Sequence, residues 1–136
     1  MAFIVRRADY FYVPVSGEAA APSDLLAALA SRGINLLAFA SVPMGPHRTQ
    51  LTIFPEDATR FATEAERAGM AADGPHPALL VTGDDELGAL ARVNQALAAG
   101  GIPVYAATGI ADGRGSFGYV VYLSPQDVDR AVKLLS

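Results

Sequence analysis

Residues 83–104 read Gly-Asp-Asp-Glu-Leu-Gly-Ala-Leu-Ala-Arg-Val-Asn-Gln-Ala-Leu-Ala-Ala-Gly-Gly-Ile-Pro-Val. The apolar run Ala78–Val81 leads into this stretch. A short acidic turn follows, with a glycine at Gly88. Leu90, Val93 and Leu97 then recur at the spacing of helical turns, which predicts one buried stripe. Gly100 and Gly101 stand where such a helix ends, because glycine accepts the left-handed geometry of a helix terminus. A second apolar run starts at Ile102. The predicted order is strand, tight turn, helix, glycine, strand.

Working outward, the same order occurs earlier in the chain. Gly33-Ile34 precedes an apolar run as Gly101-Ile102 does, 68 positions later. The same spacing pairs Val13 with Val81, Glu18 with Glu86, Leu29 with Leu97, Ala30 with Ala98 and Gly45 with Gly113. Further on the spacing is 70, pairing Pro55 with Pro125, Asp57 with Asp127 and Arg60 with Arg130. A two-residue insertion in the second hairpin loop is expected to account for the change, since loops absorb insertions readily. Two copies of one supersecondary unit are the leading interpretation.

In chain order, Ala2–Val5 and Ala8–Val15 are β-prone. Pro14 is expected to end the pairing or mark a bulge, because proline cannot donate to a sheet ladder. Ser23 or Asp24 is expected to cap a first helix running to about Arg32. Strands are predicted over Ile34–Val42 and Thr49–Phe54, joined by the turn Pro43–Pro46. A second helix opens at Pro55–Asp57 with Phe61, Ala62 and Ala65 inward. Gly69, Gly74, Pro75 and Pro77 leave room for only a short strand between the copies. In the second copy, Asp84 or Asp85 is expected to cap the helix. Ile102–Gly109 and Ser116–Leu123 are predicted strands flanking an Asp-Gly hairpin at Ala111–Gly115. Ser124-Pro125 starts the last helix, with proline at its first position, and Val128, Ala131, Val132 and Leu135 on its buried stripe.

The chain has 136 residues, 51% of them apolar, enough for one body with internal pseudo-symmetry. Its net charge of −4 argues against nucleic-acid binding, which needs clustered Lys and Arg. With no cysteine, disulfides, thiolate metal sites and thiol catalysis are excluded. No apolar run approaches the roughly 20 residues needed to span a bilayer, and residues 1–7 do not read as a secretory signal. No membrane association and a cytoplasmic location are expected. Chemistry-bearing motifs are sparse. His47 and His76 each stand beside a proline, are expected at surface turns, and lack metal-ligand spacing. There is no G-x-S-x-G elbow and no phosphate loop. The glycines between Gly109 and Gly118 precede a strand, not a helix, which favours a hairpin over a phosphate cradle. No metal, no cofactor and no catalysis are expected.

The pattern D-x-x-G-x-L, an amphipathic helix, then G-I-x-V is carried by Asp85, Gly88, Leu90, Leu97, Gly101, Ile102 and Val104. It resembles the ACT domain, a small regulatory module that often binds amino acids. The resemblance implies an α+β fold: two ferredoxin-like βαββαβ units in tandem, over residues 1–74 and 75–136, with antiparallel sheets and helices on one face. The second copy stops after its second helix, one strand short. The 68-residue spacing sets Ala2–Arg6 against Met70–Gly74, so residues 2–6 are expected to supply that final strand and close an open sheet edge.

The resemblance also implies a site. In ACT modules the first strand–helix turn meets the start of the second strand of a neighbouring unit, and small ligands sit between them. In the second copy this implicates Asp84, Asp85, Glu86, Leu87 and Gly88, with Ile102, Pro103 and Val104. In the first copy it implicates Ser16, Gly17, Glu18, Ala19 and Ala20, with Ile34, Asn35 and Leu36. Asn35 is the polar side chain best placed to hold an amino-acid backbone. The implied function is a small-molecule-binding, amino-acid-responsive regulatory protein without a catalytic domain, acting as a homodimer on a separate enzyme. The alternative is a protein-interaction or assembly module that binds no ligand. A small isomerase or mutase on a ferredoxin-like sheet is the third, because such sheets host unrelated chemistries.

Overall fold

The computed structural model describes residues 3–16 and 21–136. Its elements are β1 (Phe3–Ser16), α1 (Ala21–Ser31), β2 (Leu36–Pro43), β3 (Arg48–Pro55), α2 (Ala58–Arg67), β4 (Asp73–Asp84), α3 (Ala89–Ala99), β5 (Ala106–Ala111), β6 (Ser116–Tyr122) and α4 (Pro125–Leu135). They form two compact units, Asp9–His76 on the one hand and Met1–Ala8 with Pro77–Ser136 on the other. Each unit is a ferredoxin-like α+β body.

In the Asp9–His76 unit the chain runs β1-α1-β2-β3-α2-β4, and the strand order is β2-β3-β1-β4. β1 and β3 pair antiparallel, Phe11 opposite Ile53 and Val13 opposite Leu51. Alternate residues of a strand share a face, so these four side chains point together into the core. Leu29 of α1 and Phe61 and Ala65 of α2 close over them. Phe61 and Ala65 lie one helical turn apart, which puts both on the inner face. Asp57 caps α2 through its side chain, which accepts the Arg60 N–H at 3.1 Å.

In the other unit the order is β1-β4-β6-β5, with Phe3–Ala8 as the β1 portion. Leu79 and Val81 of β4 stand opposite Val121 and Tyr119 of β6. Val93 and Leu97 of α3 and Val128 and Ala131 of α4 are buried against them. Phe3 and Val5 pack on the same core, and the Phe3 ring meets Phe117 edge-on at 6.1 Å. β1 therefore completes this unit's sheet with its first residues. Ala2, included in the expected closing strand, lies outside the described residues.

The duplication is legible in hydrogen bonds. Gly33 (φ 73°) and Gly101 (φ 72°) both adopt the left-handed conformation. The N–H of Gly33 bonds Ala30 O at 3.0 Å and that of Ile34 bonds Leu29 O at 3.0 Å; in the other unit Gly101 bonds Ala98 O at 3.0 Å and Ile102 bonds Leu97 O at 2.9 Å. These are paired Schellman caps. Each unit then adds an arginine from its second helix to the same helix end. Arg60 donates to Arg32 O at 3.0 Å, and Arg130 to Gly100 O at 2.7 Å. A cation there also complements the negative end of the helix dipole.

Several expectations are corrected. Phe39 pairs with Ile53 and Ala107 with Val121; Pro43 pairs with Thr49 and Ala111 with Phe117. The two hairpins therefore have equal length, and the 68-residue spacing persists through Ile53 and Val121. The insertion falls between the third strand and the second helix. Pro14 pairs with Gln50 with no shift of register. β4 is a continuous strand of 12 residues through Gly74 and Pro75, longer than the short strand expected. β2 and β5 begin later than predicted because the Ile34 and Ile102 N–H groups already cap helices, and Pro103 has no N–H to offer a ladder.

Candidate functional site

The turn between β4 and α3 is built from main-chain bonds. The Asp85 N–H donates to Gly115 O at 2.9 Å, tying the turn to the β5–β6 hairpin. The Glu86 N–H donates to Asp84 O at 3.0 Å and the Ala89 N–H to Glu86 O at 3.0 Å. Gly88 then takes φ 82° and stands as the N-cap of α3, without a side-chain cap bond. The expected capping by Asp84 or Asp85 is therefore not made. The backbone turns too early for either carboxylate to reach the first helical N–H groups. Among the described residues the N–H groups of Leu87 and Gly88 bond to nothing. Arg92 reaches back to Glu86 Oε2 at 3.4 Å and Leu87 O at 3.3 Å. Among the described residues the Asp85 carboxylate has no ion pair.

Asp85–Ala91 forms one wall of an open groove of about 580 Å³; Gly109, Ile110, Ala111 and Phe117 form the other. That volume falls in the range of roughly 300–1,000 Å³ typical of small-molecule sites. Its walls mix polar and apolar surface and are wet: Leu87 is fully exposed and Leu90 39% exposed. β5 meets the turn with its far end. It starts under the C-terminus of α3 and runs back beside the helix, so Gly109–Ala111, not Ile102–Val104, come level with Gly88.

Beneath the groove, Gly109 pairs with Tyr119 across the β5–β6 ladder. A Cβ at Gly109 would stand 3.1 Å from Leu90 Cδ1 and 3.1 Å from Tyr119 Cδ1. The bare backbone lets both side chains lie flat against β5. The Asn94 amide donates to Tyr119 Oη at 2.8 Å and to Leu90 O at 2.9 Å, which fixes the phenol in place.

The residues singled out in the sequence are only partly brought together. Asp85, Glu86, Leu87 and Gly88 line the groove; Asp84 is the exposed last residue of β4. Ile102 is buried in the core at the opposite end of α3, Val104 packs on the same core, and Pro103 is exposed beside them. An 11-residue helix separates the two ends by about 16 Å, so no single unit joins them. In the first copy Ser16 is exposed at the end of β1, and Gly17, Glu18, Ala19 and Ala20 lie outside the described residues. Ile34 is buried, and Leu36 packs on that core. Asn35 is exposed and already engaged, donating to Glu56 Oε2 at 2.7 Å. It lines a cleft of about 150 Å³ with Glu56, Asp57 and Arg60.

Leu90, Gly109, Ile110 and Phe117 were not singled out as site residues. The signal that could have found them is the Asp-Gly hairpin, which fixes where β5 must end. His47 sits at the β2–β3 turn with φ 61°. His76, expected at a surface turn, is instead in β4, its ring 5.3 and 5.4 Å from those of Tyr10 and Tyr12, and its Nε2 3.3 Å from Asp73 Oδ1. Among the described residues no group of three His, Asp or Glu is placed to hold a metal ion, and no helix is long and apolar enough to cross a membrane.

No family model matches the chain, and no curated protein matches it. Solved structures do. A Bacteroides thetaiotaomicron protein shares the fold with a TM-score of 0.81 at 18% identity, over 96% of this chain and 88% of that one. The ligand-free regulatory subunit of aspartate kinase from Thermus thermophilus matches with a TM-score of 0.68 at 16% identity, over 99% of this chain and 95% of that one. The corresponding subunit from Thermus flavus matches with a TM-score of 0.58 at 17% identity, again over 99% and 95%. At these identities what is shared is the fold: the chain has the ACT-like architecture of these regulatory subunits.

Proposed function

We propose that the chain is a regulatory protein that binds a small molecule, an amino acid, in the groove beside Gly88 and passes the effect to a separate enzyme. The observation that carries this is the groove itself. It lies at the strand–helix turn that the ACT resemblance marks for ligand capture, and it is lined by Asp85, Glu86, Leu87 and Gly88. The free N–H groups of Leu87 and Gly88 suit a carboxylate at the positive end of α3, and the Asp85 carboxylate suits an ammonium group. The structural resemblance to aspartate kinase regulatory subunits supports the same direction. In this proposal the chain does no chemistry of its own, and it works in the cytoplasm.

A homodimer belongs to the same proposal. β5 is an edge strand, Ala-Ala-Thr-Gly-Ile-Ala, with all six residues exposed and neither charge nor proline to discourage pairing. The same edge favours the second reading, an assembly module whose faces make subunit contacts only. Thermal denaturation against a panel of amino acids separates the two. A bound ligand at 100 times its Kd adds about 2.7 kcal/mol and raises the melting temperature. A dimer whose melting is unmoved by every amino acid at millimolar concentration supports the assembly reading and ends the regulatory one.

A further inference from the structure

We propose that Gly109 determines which ligand the groove accepts: a primary amine carrying a compact apolar side chain, as opposed to one carrying a charged side chain. The inference rests on the ligand-binding function proposed above and adds the class of ligand and the residue that sets it.

The class follows from what the walls offer. Of the two acidic side chains lining the groove, Glu86 pairs with Arg92 at 3.4 Å, which leaves Asp85 as the one carboxylate there without a partner among the described residues. One ammonium group neutralises it. A second cation on the ligand would have only Glu86, already paired with Arg92, to turn to, and an anionic side chain would face the Asp85 carboxylate. The larger remaining side chains, Leu87, Leu90 and Phe117, offer apolar surface only; Ile110, opposite Gly118, points to the other face of the sheet. An ion laid against that apolar surface gains no partner from it, whereas an aliphatic or aromatic group removes apolar area of both from water.

The control by Gly109 follows from its neighbours. Any side chain there must displace Leu90 or Tyr119, each 3.1 Å from the Cβ position. Tyr119 is held by Asn94 and is 7% exposed. Leu90 is 39% exposed and has solvent on one side to move into. The displacement is therefore taken up by Leu90, which is pushed into the groove and shortens the space left for the ligand. The φ of Gly109 is not in the left-handed region, so alanine is tolerated by the backbone and acts by size.

Titration calorimetry of the intact protein with L-leucine, L-valine, L-alanine, L-lysine and L-aspartate tests this. Leucine and valine are expected to bind, lysine and aspartate at least about tenfold more weakly. Gly109→Ala is expected to weaken leucine about tenfold or more, the scale of one or two methylenes in an apolar pocket, and to leave alanine within about twofold. Leu90→Ala added to Gly109→Ala is expected to restore leucine. A merely unfolded or loosened variant would lose all ligands alike and would not be rescued by a second truncation. Preference for lysine or aspartate overturns the ligand class while the binding function stands. Equal loss of alanine and leucine, or no rescue, overturns the role of Gly109. No binding of any amino acid overturns the binding function and this inference with it.

Discussion

At Gly33 and Gly101 the two units finish their first helix in the same way: a left-handed glycine, two main-chain bonds back into the helix, and an arginine from the second helix on the last carbonyl. At the opposite end of the same helices the sequences have parted. Asp84–Gly88 forms a glycine-capped turn beside a groove, and its counterpart in the first copy reads Ser-Gly-Glu-Ala-Ala with Pro22 in place of Leu90. The difference teaches where duplicated folds tolerate change. A helix C-terminus that closes over a core is fixed by backbone geometry, and any alteration there is felt as lost stability. A strand–helix turn facing solvent is free to take up or lose a ligand.

If the two cores do the same work, Leu29→Ala and Leu97→Ala should hurt alike. Both side chains are almost wholly buried, and leucine truncation in such sites costs about 2–5 kcal/mol. Urea denaturation of the two variants should agree within about 1 kcal/mol. A large asymmetry would break the equivalence of the units.

The glycine caps should differ by a smaller, predictable amount. Alanine at either position must adopt left-handed geometry, at about 1–2 kcal/mol. At Gly101 the Cβ position is open space, but at Gly33 it lies 2.7 Å from Arg60 Nη2. Gly33→Ala should therefore also lose the Arg60 bond and be the more destabilising by about 1 kcal/mol. Equal effects would mean that the arginine clamp contributes nothing measurable.

The smallest effect expected lies in the β5–β6 hairpin. The Asp112 carboxylate accepts N–H bonds from Arg114 at 2.7 Å and Ser116 at 3.1 Å. The Arg114 bond above all, then the Ser116 bond, holds its pKa below the ordinary 3.8. The folded value is lower than the unfolded one, so its contribution is present above 3.8 and lost as pH falls through the lower folded value. Hydrogen exchange at Arg114 and Ser116 should accelerate in Asp112→Ala. Unchanged exchange would show that the turn is held by its glycines and main-chain bonds without the carboxylate.

Much of this was readable from the chain. Glycine caps, buried leucines and the Asp57/Asp127 and Arg60/Arg130 pairs announce themselves because each needs one residue type at one spacing. The location of the two-residue insertion was not readable, because strands of either register have the same alternation and only pairing fixes it. Nor was the capping of α3 by Gly88. A run of three acidic residues before a helix looks like a side-chain cap, and only the main-chain bond from Asp85 to Gly115 turns it away. The groove was half visible. Its helix side follows from the local motif, but its β5 side depends on where an antiparallel strand ends, a long-range consequence of hairpin geometry.

The central claim is that the β4–α3 turn and the end of β5 together hold an amino acid. Amide chemical shifts of the intact protein, followed as L-leucine is added, test it residue by residue. The account predicts saturable shifts at Leu87, Gly88, Gly109 and Ile110, with Ile34, Asn35 and Leu36 unmoved. Shifts confined to Ile34–Leu36, or none anywhere at millimolar leucine, would contradict it.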